Sequence, residues 1–165
     1  MANTSMASVQ AKPKAPPTTT SHANPCQAPP VFDHFIDAQR PVYPQVLAEL
    51  RSGLKRSHWM WFIFPQLREL GRSHTAQRYG LGGLEDAKAY AEHPLLGARL
   101  RECVRLANAV EGKTARQLFG TPDDLKYRSC VTLFLAATGQ PLFQEALERF
   151  YGGEGDPLTV AALER

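Results

Sequence analysis

The side chains best equipped for chemistry fall in two stretches of this 165-residue chain. The first runs from Lys55 to Gln66. His58 follows Lys55 and Arg56 and adjoins Trp59 and Trp61, so its ring can titrate near neutrality and serve as a general acid or base. His58 is the one catalytic candidate, and its competing role is a structural histidine bonding buried backbone. Lys55 offers a cation for an anion. Trp59 and Trp61 stand two positions apart, about 200° around a helix, so a regular segment sends them to different sides. One then packs in the core, and the other is left to stack on a planar ligand or to pack as well. Gln66, after Pro65, carries an amide suited to an amide or base edge, or to loop backbone groups.

The second stretch is Asp123 to Thr132. Lys126, Ser129 and Thr132 recur every third residue, a slowly drifting polar stripe on an otherwise apolar helix. A buried hydroxyl needs a partner, so the stripe reads either as a pocket wall or as hydroxyls bonded back to their own helix. Asp123 and Asp124 suit the positive end of a helix better than a metal. His93 before Pro94 is helix punctuation. Cys26, Cys103 and Cys130 have no ligand spacing and cannot all pair, so neither a structural zinc nor a disulfide framework is expected. No phosphate loop or zinc-protease motif is present, and the expected cofactor and metal complement is none.

Helices must position both stretches. Phe32, Phe35 and Ile36 recur at helical spacing before Pro41, and Tyr43-Pro44 restarts a helix that Gly53 stops. Residues 84 to 92 read as a helix ended by His93-Pro94. Pro94 opens an amphipathic segment with Leu96, Leu100, Cys103, Val104, Ala107 and Val110 on one face. Thr121-Pro122-Asp123-Asp124 reads as a start in which the threonine caps, and Cys130 to Ala137 is apolar nearly all round, as a central buried helix is. Pro141 and Asp156-Pro157 begin two more. His58 to Phe64 allows a buried strand or a helical turn, and the lack of any pairing partner favours the turn. The expected fold is mainly α, a single compact domain of about six or seven helices over residues 31–165.

Residues 1–30 differ. They hold six of the 13 prolines, two lysines, no acid and no aromatic, the composition of a disordered tail. No apolar core follows Met1, so a secretory signal is not expected, and the expected location is the cytoplasm. Of the net charge of +3, residues 31–165 carry only +1, from 17 basic and 16 acidic side chains. The patch Arg51, Lys55, Arg56 is not the clustered stripe of a duplex binder, so there is no strong nucleic-acid signal. No apolar run approaches the ~20 residues of a membrane span.

Ser57-His58-Trp59-Met60-Trp61-Phe62-Ile63-Phe64-Pro65-Gln66 resembles the family called domain of unknown function 1810. The likeness continues through Leu70-Gly71-Arg72-Ser73, Glu85 to Tyr90, His93 to Leu100 and Phe119 to Lys126, and ends near Thr132-Leu133-Phe134. It spans about residues 32–163 and implies a mainly α-helical fold with no established activity. Some members are labelled calpastatin. Members often have two serines where this chain has Ser129-Cys130, which weighs against any mechanism needing a hydroxyl at position 130.

The expected function is binding of, or action on, an anionic or nucleotide-like small molecule. Its site would lie near His58 and Lys126, with Lys55, Trp61, Gln66, Lys126, Ser129 and Thr132 contacting the ligand and Arg99 as a further cation. The alternative is a non-catalytic protein–protein interaction module whose partner the sequence does not name.

Overall fold

The computed structural model describes residues 31–165; the reading of residues 1–30 as a disordered tail lies outside them. The described chain is built from helices with no strand among them, in the order α1 (Asp33–Gln39), α2 (Tyr43–Ser52), α3 (Met60–Ile63), a 3₁₀ turn (Arg68–Leu70), α4 (His74–Arg78), α5 (Leu84–Glu92), α6 (Leu96–Asn108), α7 (Ala115–Phe119), α8 (Asp123–Thr138), α9 (Pro141–Tyr151) and α10 (Pro157–Leu163). The mainly α expectation holds. The count of six or seven helices does not, since ten α-helices are described. The excess comes from single turns such as α4 and α7, five residues each, which are too short to show a hydrophobic period.

Both short helices are held by their starts. Ser73 accepts the Ala76 N–H, and Thr114 with Gln117 forms a reciprocal capping box. Prolines open α2, α9 and α10 in the first turn as the sequence suggests, and Asp156 caps α10 by accepting from Thr159 N. The start of α8 needs correction. Pro122 takes the N-cap position with no side-chain cap, and the Thr121 hydroxyl donates to Asp124 Oδ1 at 2.9 Å instead of accepting a backbone N–H.

Helix α8 is the axis of the domain. Tyr127, Cys130, Val131, Leu133 and Phe134 on it are fully buried, and α5, α9, α10, α7 and α3 pack around it. Helix α6 lies against α2, α5 and α9, completing the core. Its closest approach to the end of α5 demands a glycine: a Cβ on Gly97 would stand 2.0 Å from the Ala91 carbonyl oxygen.

Segment 58–64 resolves as the helical turn α3. Trp59, at its N-cap, is 1% exposed. After α3 the chain is pinned by an isolated parallel bridge between Leu67 and Leu81, in which Arg68 N donates to Leu81 O and Leu81 N to Gln66 O. Gly80 permits it, since a Cβ there would lie 2.4 Å from Arg68 Cα. The bridge fixes where Gln66 stands relative to α3.

Candidate functional site

The loop from Leu54 to Trp59 is organised by a residue on the α2 face that also carries Val46 and Leu50. Glu49 is 6% exposed, and its carboxylate gathers four donors. Oε1 accepts from Arg56 N and from Ser57 N (2.7 Å), and Oε2 accepts from the Ser57 hydroxyl (2.6 Å) and the Trp59 indole N–H (3.1 Å). Burial alone would raise the carboxyl pKa, but the bonds to Ser57, Arg56 and Trp59 outweigh it and hold the group below its ordinary value. This knot turns the backbone so that Ser57 faces inward and His58 outward.

Lys55, 6% exposed at its side chain, reaches Asp123 Oδ2 at 2.8 Å, donates to Ser57 O and lies 5.0 Å from the Trp59 ring. Asp123 gives its other oxygen to Lys126, at 3.7 Å. Lys126 in turn stands 4.9 Å above the ring of half-buried Trp61. The carboxylate that the sequence explains as helix-end charge thus ties the loop to the first turn of α8 and sets two lysines side by side.

Beside Trp61 lies a narrow cleft of about 10 Å³, room for about one water molecule, lined by Met60, Trp61, Phe64, Gln66, Ala76, Tyr79 and Lys126. Its lining combines apolar Met60, Phe64 and Ala76 with the Lys126 ammonium, the Gln66 amide and the Tyr79 phenol. The turn bearing Trp61 is anchored from behind: buried Gln39 donates to Phe62 O (2.7 Å) and Tyr90 Oη (3.0 Å) and accepts from Arg99 Nη1 (3.3 Å).

Of the residues singled out in the sequence, Trp61, Gln66 and Lys126 come together here. Lys55 lies close by, but its charge is taken up by Asp123. His58 is exposed on the outside of the loop and does not line the cleft. Ser129 and Thr132 do not line it either. A three-residue step turns a helix by about 300°, so each step falls back about 60° and the stripe rotates away from Lys126. The Ser129 hydroxyl bonds Leu125 O (3.1 Å); that of Thr132 bonds Arg128 O (2.7 Å) and accepts from Asp156 N at the start of α10. Arg99 is held by Gln39 and lies over the Tyr43 ring.

Sequence reasoning missed Glu49, Tyr79 and Ala76. Glu49 had a signal, an acid three residues after Val46 and beside Leu50 on an apolar face. Tyr79 had none, because the bridge between Leu67 and Leu81 is what brings α4 to α3. Among the described residues no group of three or more His, Cys, Asp or Glu gathers to hold a metal, and no helix is long and apolar enough to cross a membrane.

A small all-α domain wrapped on one buried helix, with an aromatic cleft overhung by a lysine, is the class of protein this fold and site define. The family model described as protein of unknown function (DUF1810) matches residues 30–163, and the chain belongs to that family. A crystal structure of the conserved hypothetical protein Rv1873 from Mycobacterium tuberculosis is similar, with a TM-score of 0.79 and 52% sequence identity over 81% of this chain and 96% of that one. No curated protein matches the chain.

Proposed function

We propose that this domain binds a small anionic, planar molecule, nucleotide-like in its chemistry, at the mouth of the cleft lined by Trp61, Gln66 and Lys126. The observation that carries the reading is the Lys126 ammonium 4.9 Å from the ring of half-buried Trp61, both lining a cleft that Gln66 also lines. A ring stacks on the indole, the amide meets a polar edge, and the cation meets an anionic substituent. The cleft, about 10 Å³, is far below the roughly 300–1,000 Å³ of drug-sized pockets, so the ring lies across its mouth against half-buried Trp61, with the anionic substituent at Lys126. His58 stands outside, and the proposal is one of binding.

A thermal-shift screen with nucleotides, sugar phosphates and dinucleotides tests this. A ligand at 100 times its dissociation constant stabilises by about 2.7 kcal/mol. The expected result is a stabilising hit that Lys126→Ala weakens and Trp61→Ala abolishes. A panel without a hit, or a hit indifferent to both variants, defeats the proposal. The interaction-module reading draws on other residues: Leu125 is 56% exposed and Leu158 67%. Binding of a protein partner that Leu125→Asp removes and Trp61→Ala leaves intact would favour it.

A further inference from the structure

The geometry points to a second binding site, for a free α-amino acid with an apolar side chain, its carboxylate on Arg68 and its ammonium on Asp86. Both residues line a cleft where the start of α1 meets the Leu67–Leu81 bridge, and it shares no lining residue with the cleft beside Trp61. Its volume is about 190 Å³, room for about six waters at ~30 Å³ each, which is the size of a molecule such as leucine. Phe32 and Phe35 give it an apolar wall, and Val31, 70% exposed, stands beside them. A leucine or phenylalanine side chain laid there takes apolar surface out of water.

The two charges are held but not paired. Arg68 Nη2 donates to Gly80 O at 3.1 Å, and Asp86 Oδ2 accepts from Gly82 N at 2.9 Å. Only Leu81 separates those two anchors, so the guanidinium and the carboxylate are displayed side by side. They nevertheless form no ion pair within 4.0 Å, and neither has another charged partner among the described residues. Residues 1–30 contain no acid that could serve Arg68. Each group keeps unused capacity, Arg68 in its remaining N–H donors and Asp86 in Oδ1. A zwitterion closes such a gap at both ends with charge-assisted bonds. A lone anion would meet the Asp86 carboxylate, and a lone cation the Arg68 guanidinium, so a singly charged ligand is opposed by one of the two. His34 lines the same cleft, stacked on Tyr79 at 5.7 Å and 17°. Burial, then the charges of Arg78 and Arg68, hold its pKa below the ordinary value, against the Arg78 backbone contact and the charge of Asp33. The imidazole therefore adds no third charge at neutral pH.

The experiment is calorimetric titration of the full chain with leucine and phenylalanine, with leucinamide, which lacks the carboxylate, and with 4-methylpentanoate, which lacks the ammonium. The amino acids should bind, and each truncated analogue should bind more weakly by on the order of tenfold, the factor one charge-assisted hydrogen bond supplies. Arg68→Gln should abolish the preference for leucine over leucinamide. Asp86→Asn, which keeps an acceptor for Gly82 N, should abolish the preference over 4-methylpentanoate. The analogue series on the parent chain decides the matter even where a variant fails to fold. Trp61→Ala should leave leucine binding unchanged, so this site stands or falls apart from the cleft beside Trp61. No binding of either amino acid at millimolar concentration, equal affinity for leucine and its two analogues, preferences that survive both substitutions, or a leucine affinity that Trp61→Ala removes would each overturn the inference.

Discussion

Glu49→Gln removes one charge and two lone-pair sites from the knot that shapes the Leu54–Trp59 loop. The amide oxygen can still accept from Arg56 N and Ser57 N, but as neutral bonds. The amide nitrogen then faces the Ser57 hydroxyl, which can turn to accept, and the Trp59 indole N–H, which cannot. A buried donor left without a partner costs ~1–3 kcal/mol, and the loss of charge assistance at two backbone bonds costs about 1 kcal/mol each. The sum is about 3–5 kcal/mol against the 5–15 kcal/mol of an ordinary domain. At the few degrees per kcal/mol expected for this size, the melting temperature should fall by ~10–20 °C.

The pH dependence adds an independent readout. The folded pKa of Glu49 lies below its ordinary value of 4.5, so its carboxylate contributes stability that is fully present above pH 4.5 and lost as pH falls through the folded pKa. The variant should therefore show its deficit at neutral pH and a flatter acid limb than the parent. Thermal unfolding by circular dichroism from pH 3 to 7 measures both. A variant that melts with the parent and keeps the parent's acid limb would refute the reasoning, because the four bonds would then carry no net stabilisation.

The two tryptophans should separate cleanly: Trp59→Ala should cost ~3–5 kcal/mol from a fully packed site, and half-buried Trp61→Ala less than half of that, by urea denaturation. His58→Ala should leave stability within about 0.5 kcal/mol, as an exposed substitution does, and a larger loss would reveal a partner the geometry lacks. Lys55→Met should destabilise by ~1–3 kcal/mol, because Asp123 keeps only its looser contact with Lys126, with Asp123→Asn partly rescuing it in the double variant. Gly80→Ala should cost more than about 2 kcal/mol by forcing Arg68 backbone away from the Leu67–Leu81 bridge, which calorimetric melting would show.

What the sequence revealed and concealed follows from range. Proline starts at Pro44, Pro141 and Pro157, and stops at Gly53 and Gly152, act through local backbone geometry and are readable one residue at a time. That Trp59 and Trp61 part follows from their two-residue spacing, but which of them packs in the core does not, since Trp59 stands at the N-cap of α3 with its indole bonded to Glu49. Helices of one turn escaped because their stability comes from caps and tertiary contact, although Thr114 and Gln117 form a legible capping box. The polar stripe misled for a geometric reason, since its drift carries Thr132 to α10 and not to the cleft. Asp123 was read by its position on α8, and its bond to Lys55, 68 residues away, belongs to a loop that Glu49 must first fold. Tyr79 became a wall of the cleft only through a backbone bridge with no side-chain signature.

The two indole N–H resonances report whether a planar anion binds against Trp61 at the mouth of the cleft. In a ¹⁵N-labelled sample titrated with adenosine diphosphate, the Trp61 indole and the Gln66 side-chain amide should shift together and saturate. The Trp59 indole, bonded to Glu49 away from the cleft, should stay in place. Shifts confined to the Leu125 and Leu158 surface, or a spectrum unchanged at millimolar ligand, would contradict the account.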